Sequence, residues 1–410
     1  MSRRWWPALL GAIACLTGCA SGEPSGKVHG TTLTVYYSGP AHGASSDGSR
    51  AALNGAIMAL DAVGGRVGKY RVQLHALDDS TPQSDGWDPN QTTADARLAV
   101  QDPTTIGYLG DFNSGAAAIS IPPLNRQSIA QVAPAASAVG LTSTGPGASP
   151  VEPQKYYPTG LRTFARPVPS DAVQALVQVR LARSLACRDV FVLHDGEVDG
   201  EDAGLTFLLT AQSVGLRVIG VQAFPRLASD YSSLALSVAH TGAGCVLLSA
   251  IDERSSARLT DQLARVLPRA PIIASSGLAD SSYTDPTHGG VSRAAAARVL
   301  ITSPTLDPRA YPPSGQAFLA AYGRRFGPGE PPAIFGYDAM SLMLEAIGAA
   351  TDHGHKTAVR TKVAQALLAI HGRHSVLGTY SIDRNGDTTL RRYAIYKIAG
   401  GGLSFWSPGS

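Results

Sequence analysis

Charge is what this sequence has little of. Only 16% of its 410 residues are Asp, Glu, Lys or Arg, the formal net charge is +3, and no dense run of Lys and Arg occurs. A chain that neutralises many phosphates needs such a run, so nucleic acid is excluded as a partner. Cysteine is scarce as well: there are four, two of them within the first nineteen residues, which leaves one possible bridge in the rest. Enzyme signatures are missing too. There is no Gly-x-Ser-x-Gly elbow, no His-Glu-x-x-His and no Gly-x-x-x-x-Gly-Lys phosphate loop. His353 with His355, and His371 with His374, have spacings that could seat a metal, but three or four converging ligands are needed, so they read as solvated histidines. Neither metal nor cofactor is expected.

What is there is apolar material. Hydrophobic residues make up 44% of the chain, which rules out global disorder, and the length exceeds what one compact core usually absorbs. Two domains are expected.

The amino end reads as an address. Arg3 and Arg4 form a cationic start, residues 8–16 an apolar stretch too short to span a bilayer, and Leu16-Thr17-Gly18-Cys19 a cleavage region. That tetrapeptide resembles the bacterial lipobox, and the resemblance implies a signal peptide over 1–18, lipid on the Cys19 sulfur and anchoring outside the cytoplasm. Residues 19–30 mix Ser, Gly and Pro without periodicity, as a flexible tether does. Cys187 and Cys245 then remain, each beside an expected strand. They could form one disulfide or stay as two buried thiols.

Strand and helix patterns alternate from residue 33 onward. Strands are expected at 33–37, 72–76, 105–109 and 129–133, with helices at 48–63, from Pro89 behind an Asp88 cap, and at 114–121. After the Pro/Gly/Ser/Thr-rich stretch 142–169 the alternation restarts: a helix from Asp171, then strands at 190–193, 217–221, 246–248, 272–274 and 299–302. Helices at 314–325, 333–349 and 356–370 precede a terminal hairpin around 383–387. Strands that alternate with helices imply parallel sheets, so the fold class is α/β with two doubly wound, Rossmann-like lobes.

In open α/β sheets ligands collect beyond the carboxyl ends of the strands. The loops there are Ser38-Gly39-Pro40, the run from Gly110 to Gly115, Ala135-Ala136-Ser137 and the run from His194 to Gly200. Small hydroxyl residues at a helix start can cap the helix or present a hydroxyl and N–H groups to a carboxylate.

These loops, together with Tyr37-Ser38-Gly39-Pro40, Leu77-Asp78-Asp79, Asn113-Ser114, Ala133-Pro134-Ala135-Ala136-Ser137, Tyr337-Asp338-Ala339 and Gly378-Thr379-Tyr380, occur in an order that resembles the branched-chain-amino-acid type of periplasmic solute-binding proteins of ABC importers. The resemblance implies type I lobes joined by three crossovers. Lobe 1 would take 31–164 plus 306–372 and lobe 2 would take 165–305 plus 373–410, with hinges near 163–168, 305–308 and 373–376. It also implies that Asn113, Ser114 and Ser137 hold an amino acid's carboxylate and that Asp252 or Glu253 meets its ammonium. Ser38, Ala135, Asp199 and Ser276 complete the implied site. Asp199 stands where such relatives often have an aromatic, and the loop 42–48 lacks an aromatic, so an aliphatic side chain is a poor fit. Extra acid favours a cationic or multiply hydrogen-bonding ligand. The expected protein is a monomeric, lipid-anchored, non-enzymatic receptor that captures an amino acid or amide-like solute and presents it to permease subunits. A ligand sensor or a cell-wall-machinery lipoprotein of the same fold is the alternative.

Overall fold

The computed structural model describes residues 26–409. The signal sequence and Cys19 lie outside the described residues. Within them the expected tether ends earlier than residue 30, because Val28 is buried in the lobe 1 core and donates its N–H to Ala358 O at 2.9 Å. One buried valine stabilises by roughly 1.5–3 kcal/mol, enough to dock a short segment that shows no periodicity.

Lobe 1 is built on strands β1 (Thr32–Gly39), β2 (Arg66–Val67), β3 (Tyr70–Asp78), β6 (Thr105–Leu109), β7 (Ala130–Val132) and β8 (Phe164–Ala165), in the order β2-β3-β1-β6-β7-β8. Only the β2–β3 pair is antiparallel; β4 (Ser80–Thr81) and β5 (Gly86–Trp87) form a separate small hairpin. The helices interleaved with these strands are α1 (Ser46–Ala62), α2 (Pro89–Gln101) and α3 (Ser114–Arg126). Asp88 caps α2 as its sequence suggests, accepting from the N–H groups of Asn90 and Gln91. Helix α3 runs one turn beyond the expected end, through Pro122 and Pro123. Its last turn is held by tertiary contacts: Leu124 is buried, and Asn125 Nδ2 donates to Leu161 O at 2.8 Å.

Lobe 2 carries α4 (Asp171–Ser184), β9 (Asp189–His194), α5 (Val198–Ser213), β10 (Arg217–Ala223), α6 (Ser232–His240), β11 (Cys245–Ser249), α7 (Glu253–Val266), β12 (Ile272–Ala274), α8 (Ser281–Thr284), α9 (Arg293–Ala296) and β13 (Val299–Ser303). Its sheet runs β10-β9-β11-β12-β13 in parallel and is completed by two antiparallel strands from the carboxyl end. A disulfide joins Cys187 to Cys245, with Cα atoms 5.7 Å apart, stapling the turn after α4 to the start of β11.

The chain then returns to lobe 1 for α10 (Pro313–Phe326), α11 (Ala333–Thr351), α12 (Arg360–Leu368) and the hairpin β14 (Arg373–Ser375) with β15 (Gly378–Tyr380). Helix α11 is long and apolar enough to cross a membrane by composition, but most of it is buried in the lobe 1 core. The β14–β15 hairpin corrects the expected boundary. Arg373 pairs with Asp338 of α11 at 2.8 Å and Tyr380 sits in the lobe 1 core, so the third crossing lies beyond residue 376, just ahead of β16 (Ala394–Ala399). The turn expected at 383–387 does form, with Ile382 and Thr388 bridged antiparallel and Asp383 N donating to Asp387 O at 2.8 Å, but the terminal hairpin is β16 with β17 (Gly402–Pro408), turning at Gly400 and Gly401. The 383–387 turn packs beside β8, where Arg166 N donates to Gly386 O.

Candidate functional site

Apart from the antiparallel strands β2, β16 and β17, both sheets run their parallel strands in the sequence order second, first, third, fourth, fifth. Such an order has a switch point between its first and third strands, where the helices that follow leave on opposite faces and a crevice opens. In lobe 1 the crevice lies after β1 and β6, in lobe 2 after β9 and β11. The two crevices face each other, and one cleft between the lobes is lined from both. It leaves about 90 Å³ for the centres of water-sized molecules, room for a small solute.

The β6 loop owes its path to Gly110. Its φ is +136°, and a Cβ there would lie 2.6 Å from Ser38 O, so no larger residue fits without displacing β1. The loop delivers Phe112 and Asn113 to the cleft and leads into α3. Of the residues expected at the site, Asn113, Ala135, Ser137, Asp199, Glu253 and Ser276 line the cleft. Ser38 and Ser114 do not. Ser38 Oγ donates to Asp95 at 3.1 Å beneath the loop, and Ser114 Oγ accepts from the N–H groups of Ser137 and Ala138, fastening the β7 loop to α3. Asp252 caps α7 through Ser255 N, leaving Glu253 as the acid that faces the cleft.

The expected carboxylate cradle is already filled. Asp199 Oδ1 accepts from Ser114 N at 2.8 Å and Oδ2 from Gly115 N at 3.4 Å, so a lobe 2 acid sits on the lobe 1 helix start. Glu253 Oε1 reaches across in the same sense and accepts from Ser45 N at 3.0 Å. At the mouth, Trp87 Nε1 donates to Glu197 at 3.1 Å, and Arg226 pairs with Glu197 while donating from Nη2 to Ser84 O at 2.9 Å. The lobes are closed on each other.

Sequence reasoning missed Ser45, Asp171, Gln174 and Asp280 as lining residues. Asp171 and Asp280 look like ordinary helix-start acids, and Asp280 does cap α8 through Ser282 N. Their shared cleft depends on how the lobes dock, which no local pattern encodes. Likewise the aromatic missing from the loop 42–48 is supplied elsewhere, by Phe112 and by Phe335 of α11.

The cleft's electrostatics are one-sided. Asp171, Asp199, Glu253 and Asp280 line it, and among the described residues no Lys, Arg or His does. Burial pushes the Asp171 carboxyl up to about 6. Burial also raises Asp199, although the N–H bonds from α3 oppose the rise. Glu253 is held well above the usual range by burial and by the charge of Asp280, and Asp280 in turn by burial and Asp47. Among the described residues no group of three or more His, Cys, Asp or Glu is placed to hold a metal ion.

A profile of the periplasmic binding protein family matches residues 32–402. Among solved structures, a leucine-binding protein from Thermotoga maritima superposes with a TM-score of 0.76 at 20% identity, covering 92% of this chain and 98% of that one. The branched-chain amino acid transporter substrate-binding protein of Streptococcus pneumoniae, in complex with isoleucine, gives 0.74 at 15% identity, with 92% and 100% covered. A solute-binding protein of an ABC transporter from R. palustris, in complex with benzoate, also gives 0.74 at 15% identity, with 92% and 96% covered. No curated protein sequence matches the chain. With the family profile spanning nearly all of the described residues and the two-lobe fold in agreement, the chain belongs to the periplasmic binding protein family.

Proposed function

We propose that this protein is the solute-capturing component of an ABC importer, tethered outside the cytoplasm by lipid on Cys19. It takes a small polar solute between its lobes and hands the closed form to permease subunits. One observation carries the reading: a single cleft lies at the switch points of two sheets, lined from both lobes by buried polar groups. A solute there touches both lobes only when they are shut, so it binds the closed form better and shifts the population toward it. The three crossings permit a hinge rotation while keeping the lobes in register. The site's chemistry supports binding without catalysis, since the cleft offers hydrogen-bond acceptors, N–H donors and an apolar wall.

The test is a thermal-shift survey of the full chain against a panel of amino acids, amides, amines and aromatic acids, paired with mass spectrometry of protein isolated gently from its host. A co-purifying solute that also raises the melting temperature is the expected result. A flat survey with nothing co-purifying would refute the assignment.

A further inference from the structure

The amino end of α3 is the cleft's natural place for an anion, and the protein fills it from within. Only a few N–H groups are free at a helix start, and those of Ser114 and Gly115, next in sequence to the cleft residue Asn113, are taken by the Asp199 carboxylate. A carboxylate brought by a solute would meet Asp199 at short range in a poorly hydrated space, where like charges repel strongly.

The other polar groups ask for donors. Asn113 is 3% exposed, lines the cleft, and leaves Oδ1 without a hydrogen-bond partner among the described residues. A buried acceptor left unpaired is costly, so the group marks where a solute N–H belongs. The charge of Asp280 raises the proton affinity of Glu253, and among the described residues no lining side chain brings a compensating positive charge. Phe112 and Phe335 give the same space an apolar wall.

Resting on the receptor reading above, we propose that the cargo is a small organic cation without a carboxylate, an amine or amidinium on a short apolar body, and that Asp199 itself occupies the anion position. The cation's N–H groups meet Asn113 Oδ1 from lobe 1 and the Glu253–Asp280 pair from lobe 2. Asp199 is then a specificity determinant that excludes amino acids while adding its own bond across the closed lobes.

Calorimetry on the full-length protein with two matched trios tests this: isoamylamine, leucine and isocaproate, then agmatine, arginine and 5-guanidinopentanoate. In at least one trio the carboxylate-free cation binds about tenfold or more tighter than its amino acid, and the carboxylic acids do not bind. Asp199→Ala narrows that preference by about tenfold, because the α3 start becomes free for a carboxylate. Asp199→Asn, which keeps an acceptor but removes the charge, narrows it in the same direction and guards against a folding defect in the first variant. An amino acid or carboxylic acid that outcompetes its cation in the unaltered protein overturns the proposal and leaves the receptor reading standing. So does failure of both cations to bind, or a preference unchanged in both variants. Failure of the receptor reading shows separately, as the flat thermal survey.

Discussion

Arg166, fully buried, donates from Nε to Asp387 Oδ1 at 2.7 Å and ties the first crossing to the loop that precedes the third. Its other nitrogens are spent on Ala136 O, Ala138 O and Thr142 Oγ1, so the guanidinium holds the β7 loop, the β8 edge and the 383–387 loop together.

Removing one partner leaves a buried charge unpaired. Arg166→Ala and Asp387→Ala are each expected to cost about 3–5 kcal/mol of unfolding free energy, with strong non-additivity in the double variant. Urea titration reads this directly, and losses under about 1 kcal/mol would show that the brace is not structural.

The disulfide closes a stretch with a sequence separation of 58. Replacing Cys187 and Cys245 together by Ala is expected to cost about 2–4 kcal/mol, chiefly through a less constrained unfolded chain. Equal melting temperatures with and without reductant would contradict that.

Beneath the β6 loop, Asp79 is wholly buried and neither of its carboxylate oxygens has a hydrogen-bond partner among the described residues. Burial, joined by the charges of Asp111, Asp95 and Asp78, pushes its carboxyl up to about 9. A group whose affinity for protons is raised by folding contributes stability that is complete below the ordinary carboxylate range and is lost as pH climbs toward about 9. The melting temperature should therefore fall between mildly acidic and mildly alkaline conditions. Asp79→Asn should flatten that slope and raise the alkaline melting temperature; a slope identical to that of the unaltered protein would exclude Asp79 as its source.

Gly110→Ala places a methyl 2.6 Å from Ser38 O at a φ of +136°. About 1–3 kcal/mol of strain is expected, with the β6 loop and Asn113 displaced together. Unfolding by urea measures the first effect, and loss of solute affinity measures the second; a variant unchanged in both would mean that β1 yields easily.

The alternation of strands and helices made the two α/β lobes legible, down to strands 105–109 and 272–274, whose ends coincide with those observed. Local rules failed where distant packing decides. Pro122 and Pro123 suggest a helix end, yet contacts from Leu124 and Asn125 carry α3 onward. The Asp-Arg-Asn-Gly-Asp run around residue 385 does turn the chain as its sequence suggests, bridging Ile382 to Thr388, but nothing local shows that Asp387 is committed to Arg166. For the site, residues next to strand ends were found, as with Asn113 and Ser137. Asp171 and Asp280 were not, because an acid that starts a helix looks the same whether it faces solvent or a second lobe.

The central claim is that one solute is held by both lobes at once. Calorimetric affinity for the solute identified by the thermal survey, measured in Asn113→Ala and in Glu253→Gln, tests it most directly. Both substitutions, on opposite sides of the cleft, should weaken binding by about 1–3 kcal/mol. Full affinity in either variant would mean that the solute sits on one lobe alone, and closure around it would no longer explain the protein.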